Sequence, residues 1–308
     1  VCEKFLEEGR DVSALVRTPA AAGWLAAKGA RLVRGDLDAK EALADLVRGA
    51  DVVVHCAAHV GDWGTREEFE RVNVGGTRNM VEAAAAAKVP RFVHVSSVAV
   101  YGRPKTGTIR EEYGRHRMGT PYEDTKIGAE EVAFGRGSEL GLEVTAVRPP
   151  VVFGEHDKVF LPRVVAQLRK RMALLIDGGE GLFNMVDVRD VVDVVSRLLT
   201  HEKAPGEVFN VAAVPPCIRD VFDAIADGAG APRSRFSVPR PVAMLLARAL
   251  DRGWKLAKAG GPPPLTPFVV TMVTLKVTYD ATKAQRLLGW PAPSSPLERL
   301  RELARTYR

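Results

Sequence analysis

Tyr122 and Lys126 stand four residues apart in TPYEDTKIGAEE (120–131), a stretch that otherwise reads as ordinary helix. On a helix that spacing puts a phenol and an ammonium on one face. An ammonium near a phenol favours the phenolate, so the tyrosine pKa is expected to fall from about 10 toward working pH. Upstream, VHVSSVAVYG (93–102) places Ser96 and Ser97 at the end of an apolar run of strand length. A hydroxyl at the carboxyl edge of a parallel strand faces the crevice where ligands bind in such sheets. A serine there can hold a substrate oxygen beside the phenol. The three side chains then form a proton-transfer device for an alcohol or ketone, with a nicotinamide beside it to take or give the hydride. The Tyr-x-x-x-Lys spacing recurs by chance in many helices; its weight comes from following a strand that ends in SSVAVYG.

Positioning these groups requires alternating elements, and the chain has them. Strands are expected at 11–17 (DVSALVR), 51–58 (DVVVHCAA), 91–97 (RFVHVSS) and 142–149 (LEVTAVRP), with helical patterns at 21–28, 40–48, 66–88 and 122–140. Strands alternating with helices argue for a parallel sheet with crossover helices on both faces, and wholly apolar strands fit a sheet covered on both sides. After about residue 155 the alternation loosens. FLPRVVAQLRKR reads as helix, FNMVDVRDVVDVVSRLL as a short strand and a helix, and GEVFNVA as one more strand. Residues 214–308 look mostly helical and proline-rich, including GGPPPLTP (260–267). A dinucleotide-binding domain is therefore expected at 1–154 with 184–213, and a substrate lobe at 155–183 with 214–308. Helix 242–258 reads first as a packed surface helix, with Arg248, Arg252, Lys255 and Lys258 on its polar side. The weaker alternative is contact with a membrane surface or a greasy substrate mouth.

Composition sets broad limits. The 308 residues are 46% hydrophobic, enough for a large core, and the net charge of +6 is dispersed among 38 acids without a long basic run. That pattern reads as a solvated surface and gives no sign of a nucleic-acid partner. Three scattered cysteines, Cys2, Cys56 and Cys217, offer neither a disulfide framework nor metal spacing, which fits a reducing, cytoplasmic setting. No apolar run is long enough to span a bilayer. No histidine pair has metal-ligand spacing, so no metal is expected. His94 reads as packed inside a strand, His156 as a loop residue, and Cys56 as a small buried residue.

In a dinucleotide-binding fold the first strand ends in a glycine-rich turn that lets helix-start amides approach the pyrophosphate. Here the chain opens on VCEKFLEEGRDVSALVR, the helix that should follow that turn and then the second strand. The reading is that the sequence starts after the turn. The residue closing the second strand is Arg17, followed by Thr18, with no acid. A cation there accepts a 2′-phosphate, so NADP is favoured over NAD.

GDL (35–37), DVVVHCAA (51–58), NVGGT (73–77), VSSVAVYG (95–102), PYEDTK (121–126), VRPPVVFG (147–154) and VDVRDVV (186–192) together resemble an extended short-chain dehydrogenase/reductase. This is the group of NAD-dependent epimerases, dehydratases and 3β-hydroxysteroid dehydrogenases, and the likeness covers nearly the whole chain. It implies an α/β, Rossmann-like doubly wound parallel sheet, lacking its first strand here, with a smaller, mainly helical C-terminal substrate lobe. It implies Ser97 as the catalytic hydroxyl, Tyr122 as acid/base, and Lys126 tuning it and binding the nicotinamide ribose. Asp36 and Leu37 would contact adenine, Ala57 and Ala58 would line the cofactor groove, and Pro149 and Val152 would sit by the nicotinamide. Asn73 looks like the family's structural asparagine, and His55 steadies the sheet. Members often dimerise through two helices per subunit, which makes the Tyr122 helix a candidate.

For the substrate, sugar-nucleotide members carry an arginine where this chain has Phe183, which argues against a diphosphate ligand. The loop HVGDWG (59–64) presents His59 and Trp63 where substrate should lie. The tail from PPPLTP onward looks similar to the 3β-hydroxysteroid dehydrogenase branch. The reading is an NAD(P)-dependent oxidoreductase acting on a sterol-like or lipid-like secondary alcohol or ketone. A sugar-nucleotide epimerase or dehydratase, and a non-catalytic NAD(P)-sensing protein, are the alternatives.

Overall fold

A computed structural model describes residues 1–61, 63–104, 106–157, 160–256, 263–293 and 295–307. Along the chain the elements begin with α1 (Cys2–Glu7), β1 (Ser13–Val16), α2 (Gly23–Ala27), β2 (Arg31–Arg34), α3 (Lys40–Leu46) and β3 (Val52–His55). α4 (Arg66–Phe69) runs through a π turn (Glu70–Gly75) into α5 (Gly76–Ala86), and β4 (Arg91–Val95), β5 (Thr106–Ile109), α6 (Pro121–Glu139), β6 (Glu143–Arg148) and β7 (Val151–Phe153) follow. Next come α7 (Phe160–Arg169), β8 (Leu175–Ile176), β9 (Met185–Asp187), α8 (Val188–Leu198), β10 (Val208–Asn210) and α9 (Ile218–Ala229). The chain ends with β11 (Ser237–Val238), α10 (Arg240–Leu256), α11 (Pro267–Met272), β12 (Lys276–Tyr279), α12 (Thr282–Leu288) and α13 (Pro296–Ala304).

The central sheet has the order β10-β6-β4-β3 and is wholly parallel, with Val53 opposite Phe92 and Phe92 opposite Val144. β1 and β2 form a separate parallel pair, not hydrogen-bonded to β3. Successive side chains of a strand point to opposite faces, and the two cores divide accordingly. Phe92 and Val144 pack with Leu43, Met80, Val81 and Ala133 of α3, α5 and α6. Val93 and Val147 pack on the other face with Val191, Val194 and Leu198 of α8, together with Phe5, Phe209 and Trp290. Helices on both faces are what the valine-rich strands demand, since each buried aliphatic side chain contributes about 1.5–3 kcal/mol. β2 escaped the sequence reading because RLVR buries only Val33 and exposes an arginine at each end.

The rest of the chain builds a second core from Leu161, Leu168, Val221, Ile225 and Leu300 of α7, α9 and α13. Three short parallel pairs complete the described strands: β5 with β12, β7 with β9, and β8 with β11. Residues 214–308 therefore hold two strands among their helices. α10 departs from the sequence expectation. Its buried face is made of alanines, and Leu245, Leu246 and Leu256 point outward. Lys258, the side chain of Lys255 and residues 260–262 of the proline-rich stretch lie outside what is described. Among the described residues, no helix is long and apolar enough to cross a membrane.

Candidate active site

The carboxyl end of β4 is where the three chemical side chains meet. The strand's pairing continues one residue further, with Ser96 N–H donating to the Val147 carbonyl at 2.8 Å. Ser97 then leaves the sheet. Its extended backbone caps a 3₁₀ turn, Val98–Tyr101, with Oγ accepting from Ala99 N–H at 3.2 Å. Val98 N–H donates to the Pro149 carbonyl at 3.1 Å, which moors the turn to the segment after β6. The turn closes at Gly102, whose φ of 69° favours glycine and where a Cβ would crowd the His116 carbonyl at 3.0 Å. α6 starts at Pro121, whose missing N–H costs nothing in the first helical turn. Tyr122 follows at once, near enough to the Ser97 side chain for that hydroxyl to act on its pKa. One helical turn on, Lys126 is buried and donates from Nζ to the Val95 carbonyl at 2.9 Å. Ser97, Tyr122 and Lys126 thus converge as their spacing implied.

The electrostatics correct one expectation. Burial holds the Tyr122 phenol above its ordinary pKa, against the pull of the Ser97 hydroxyl and with help from Glu123. The lowering expected from Lys126 does not prevail: burial dominates, and the ammonium is directed at the Val95 carbonyl. Burial also pushes Lys126 down to about 8, opposed by Glu130. The folded chain therefore holds this proton less tightly than the unfolded one. Between roughly pH 8 and 10.5 the unfolded state binds more protons, so stability rises with pH across that window. Below it, the folded state carries the full cost of a buried ammonium. Lys126→Met is expected to be about 2 kcal/mol more stable than wild type at pH 7, and to lose that advantage above pH 10. Urea unfolding at the two pH values checks this; a variant less stable than wild type at pH 7 would refute the burial cost.

A second layer fixes the site. Asn73, buried in the π turn, accepts from His59 N–H at 2.6 Å, and its Nδ2 donates to the His59 carbonyl at 3.1 Å and to Thr125 Oγ1 at 3.0 Å. It thereby clamps the loop after β3 to α6, one residue before Lys126. π turns of this kind gather at functional sites. Thr77 donates to the Asn73 carbonyl at 2.6 Å, and its hydroxyl meets His55 Nε2 at 3.0 Å. His55 is driven down to about 3, chiefly by burial and then by Lys126, and His94, stacked on it at 5.6 Å, also lies well below the ordinary range. Both are neutral packing residues. Phe69, which the sequence offered only as a periodic helix position, bridges His59 and Tyr122 edge-on, with centroids 4.2 Å and 6.4 Å away. His59 thus stands one ring from the phenol. Trp63 belongs to the same loop, its carbonyl 3.4 Å from His59 Nε2.

The residues expected to hold a dinucleotide occupy strand ends. Arg17 is exposed just after β1, and Asp36 is exposed just after β2. Leu37 is buried against Gly76, where a Cβ would lie 2.4 Å from it, and its carbonyl accepts from Asn79 at 2.8 Å. Ala57 is open and Ala58 half-buried beyond β3. Cys56, expected to be buried, is exposed there too, because no strand covers that edge of β3 among the described residues. Pro149 is buried beside the Ser97 turn, and Val152 is exposed on β7. These features fit a dinucleotide. Small side chains leave backbone accessible along the groove, and Lys126 spends one of its three N–H donors on Val95, with no protein acceptor for the others among the described residues. Phe183 stacks on Phe160 at 5.4 Å, on the wall of the second core. Among the described residues, no group of acids, histidines and cysteines could hold a metal ion.

Known proteins resemble this chain in sequence and in fold. The chain is 31% identical over 244 residues to sterol demethylase protein B of Methylococcus capsulatus, covering 76% of this chain and 72% of that one. It is 30% identical over 290 residues to a 4-hydroxy-2-methyl-3-oxo-4-farnesyl-3,4-dihydroquinoline-1-oxide ketoreductase of Stigmatella aurantiaca, covering 93% and 86%. The solved structure of MoeE5 in complex with UDP-glucuronic acid and NAD superposes with a TM-score of 0.75 at 25% identity, over 96% of this chain and 90% of that one. The profile of the NAD dependent epimerase/dehydratase family matches residues 1–212, which carry the central sheet and all three side chains at the end of β4, and the protein is an enzyme of that family.

Proposed function

We propose that this enzyme interconverts a secondary alcohol and a ketone on an apolar, sterol-like or lipid-like substrate, using NADP in preference to NAD. The observation that carries the chemistry is the convergence of Ser97, Tyr122 and Lys126 at one strand end. Bound nicotinamide supplies or accepts the hydride. In reduction, the Tyr122 phenol donates its proton to the ketone oxygen, and Ser97 Oγ–H holds the same oxygen in line. The Lys126 ammonium steadies the phenolate left behind, and its spare donors would hold the ribose hydroxyls. A phenol kept above its usual pKa rests as an acid, so reduction proceeds at neutral pH and alcohol oxidation climbs as pH rises. Exposed Arg17 after β1, followed by Thr18 and not by an acid, supports the 2′-phosphate. The apolar substrate is supported by the Phe160–Phe183 pair, which offers no cation to a diphosphate, and by the sterol- and ketone-directed names of the relatives.

The test is a screen of the full-length protein against 3-ketosteroids, 2-alkyl-3-oxo acids and UDP-sugars, following nicotinamide absorbance with NADPH and NADH. Oxidation of NADPH by an apolar ketone, faster than that of NADH, is the expected result. The likeness to MoeE5 makes the sugar-nucleotide reading the specific rival. Conversion of a UDP-sugar with no turnover of any ketone would overturn the proposal.

A further inference from the structure

α10 is built inside out for a helix facing water. Its 17 residues extend about 25 Å. Ala243 and Ala247, both 0% exposed, form its inner face, packed with Ile176 and Val270. Met244 packs beside them, and Leu250 and Trp254 are half-buried, but four larger side chains face away: Val242 is 46% exposed, Leu245 70%, Leu246 47% and Leu256 86%. At the helical repeat these four share an arc of about 100° opposite the alanines. Arg248 and Arg252 are exposed and follow directly along one border of the stripe. No exposed position of α10 carries a carboxylate; Asp251, its one acid, is half-buried. The segment that leads into the helix adds to the same character. Arg235 and the 67% exposed Phe236 line a cleft of about 680 Å³ together with Arg171 and Arg219.

We infer that α10 lies on an anionic phospholipid surface, its leucines in the acyl boundary and its arginines at the phosphates. A helix that buries alanine and exposes leucine needs an apolar partner, and the cationic border selects which one. A second copy of the chain would bring the same arginines to a shared seam, like charge toward like. An anionic bilayer satisfies both halves of the face at once, because arginine reaches the headgroups while its stem stays apolar. The inference rests on α10 alone and holds whatever the enzyme's substrate.

The test is flotation of the full-length protein with phosphatidylcholine vesicles, with and without phosphatidylglycerol. Wild type is expected to float with the anionic vesicles, less so as salt rises. Arg248→Glu/Arg252→Glu is expected to weaken that partitioning about tenfold or more. Leu245→Ser/Leu246→Ser should weaken it to a similar degree at an unchanged melting temperature, since both side chains already face solvent. Wild type left at the bottom of the gradient with anionic vesicles would overturn the inference, as would variants that float like wild type. A dimer in sedimentation velocity that the leucine pair abolishes, with no flotation, would assign the face to a second copy instead.

Discussion

Replacing Tyr122 by Phe is expected to lower the turnover number by about three orders of magnitude, within the range that a positioned general acid contributes. The ring stays. Its edge contact with Phe69 and its place in the first turn of α6 do not need the hydroxyl, so folding should be intact. What disappears is the single proton positioned between Ser97 and the reacting oxygen. Ser97 cannot replace it, because an aliphatic hydroxyl is far too weak an acid. Lys126 is turned to the Val95 carbonyl. Cofactor affinity, read by fluorescence titration, should change little, while steady-state turnover of an apolar ketone collapses. A Tyr122→Phe protein with wild-type turnover would remove acid/base chemistry from this site and leave cofactor sensing as the better reading.

Glu130→Ala is expected to cost about 3–5 kcal/mol of stability, the loss typical when one partner of a buried pair is removed. Arg148, on β6, donates from Nε and Nη2 to the two oxygens of Glu130, on α6, at 2.8 and 2.7 Å. Their side chains are only 5% and 1% exposed. The guanidinium also lies over the Tyr101 ring, 4.8 Å from its centroid, and Glu130 holds it protonated well above the usual range. Without the carboxylate, that charge would remain buried with Tyr101 as its neighbour. Urea unfolding should show the loss directly. Glu130→Leu/Arg148→Met should recover most of it, since an apolar pair of similar size has no charge to desolvate. A Glu130→Ala loss under about 1 kcal/mol would mean that the pair is hydrated, contrary to its burial. Because Glu130 shares α6 with Tyr122 and Lys126, and supports the Lys126 charge, the variant should also lose activity.

The local chemistry was open to sequence reading because it depends on local geometry. Four residues on a helix bring Tyr122 and Lys126 to one face, and SSVAVYG after a valine-rich strand puts Ser97 at a sheet edge. The central strands were readable for the same reason, since Val52–His55 and Arg91–Val95 are rich in valine. β5 and β12 were not, because TGTI and KVTY hold few aliphatic residues and find their partners far along the chain. Asn73 was recognisable as a structural residue, but its grip on both His59 and Thr125 required the fold.

By itself the sequence determined the alternation of strand and helix, the parallel sheet and the nearness of Tyr122 to Lys126, all consequences of period and spacing between near neighbours. Only the tertiary structure decided the direction of the Tyr122 shift, the Glu130–Arg148 pair and the outward leucines of α10. Each depends on how much water is excluded and which partner arrives from elsewhere in the chain. Desolvation and burial are properties of the packed whole, and no spacing rule encodes them.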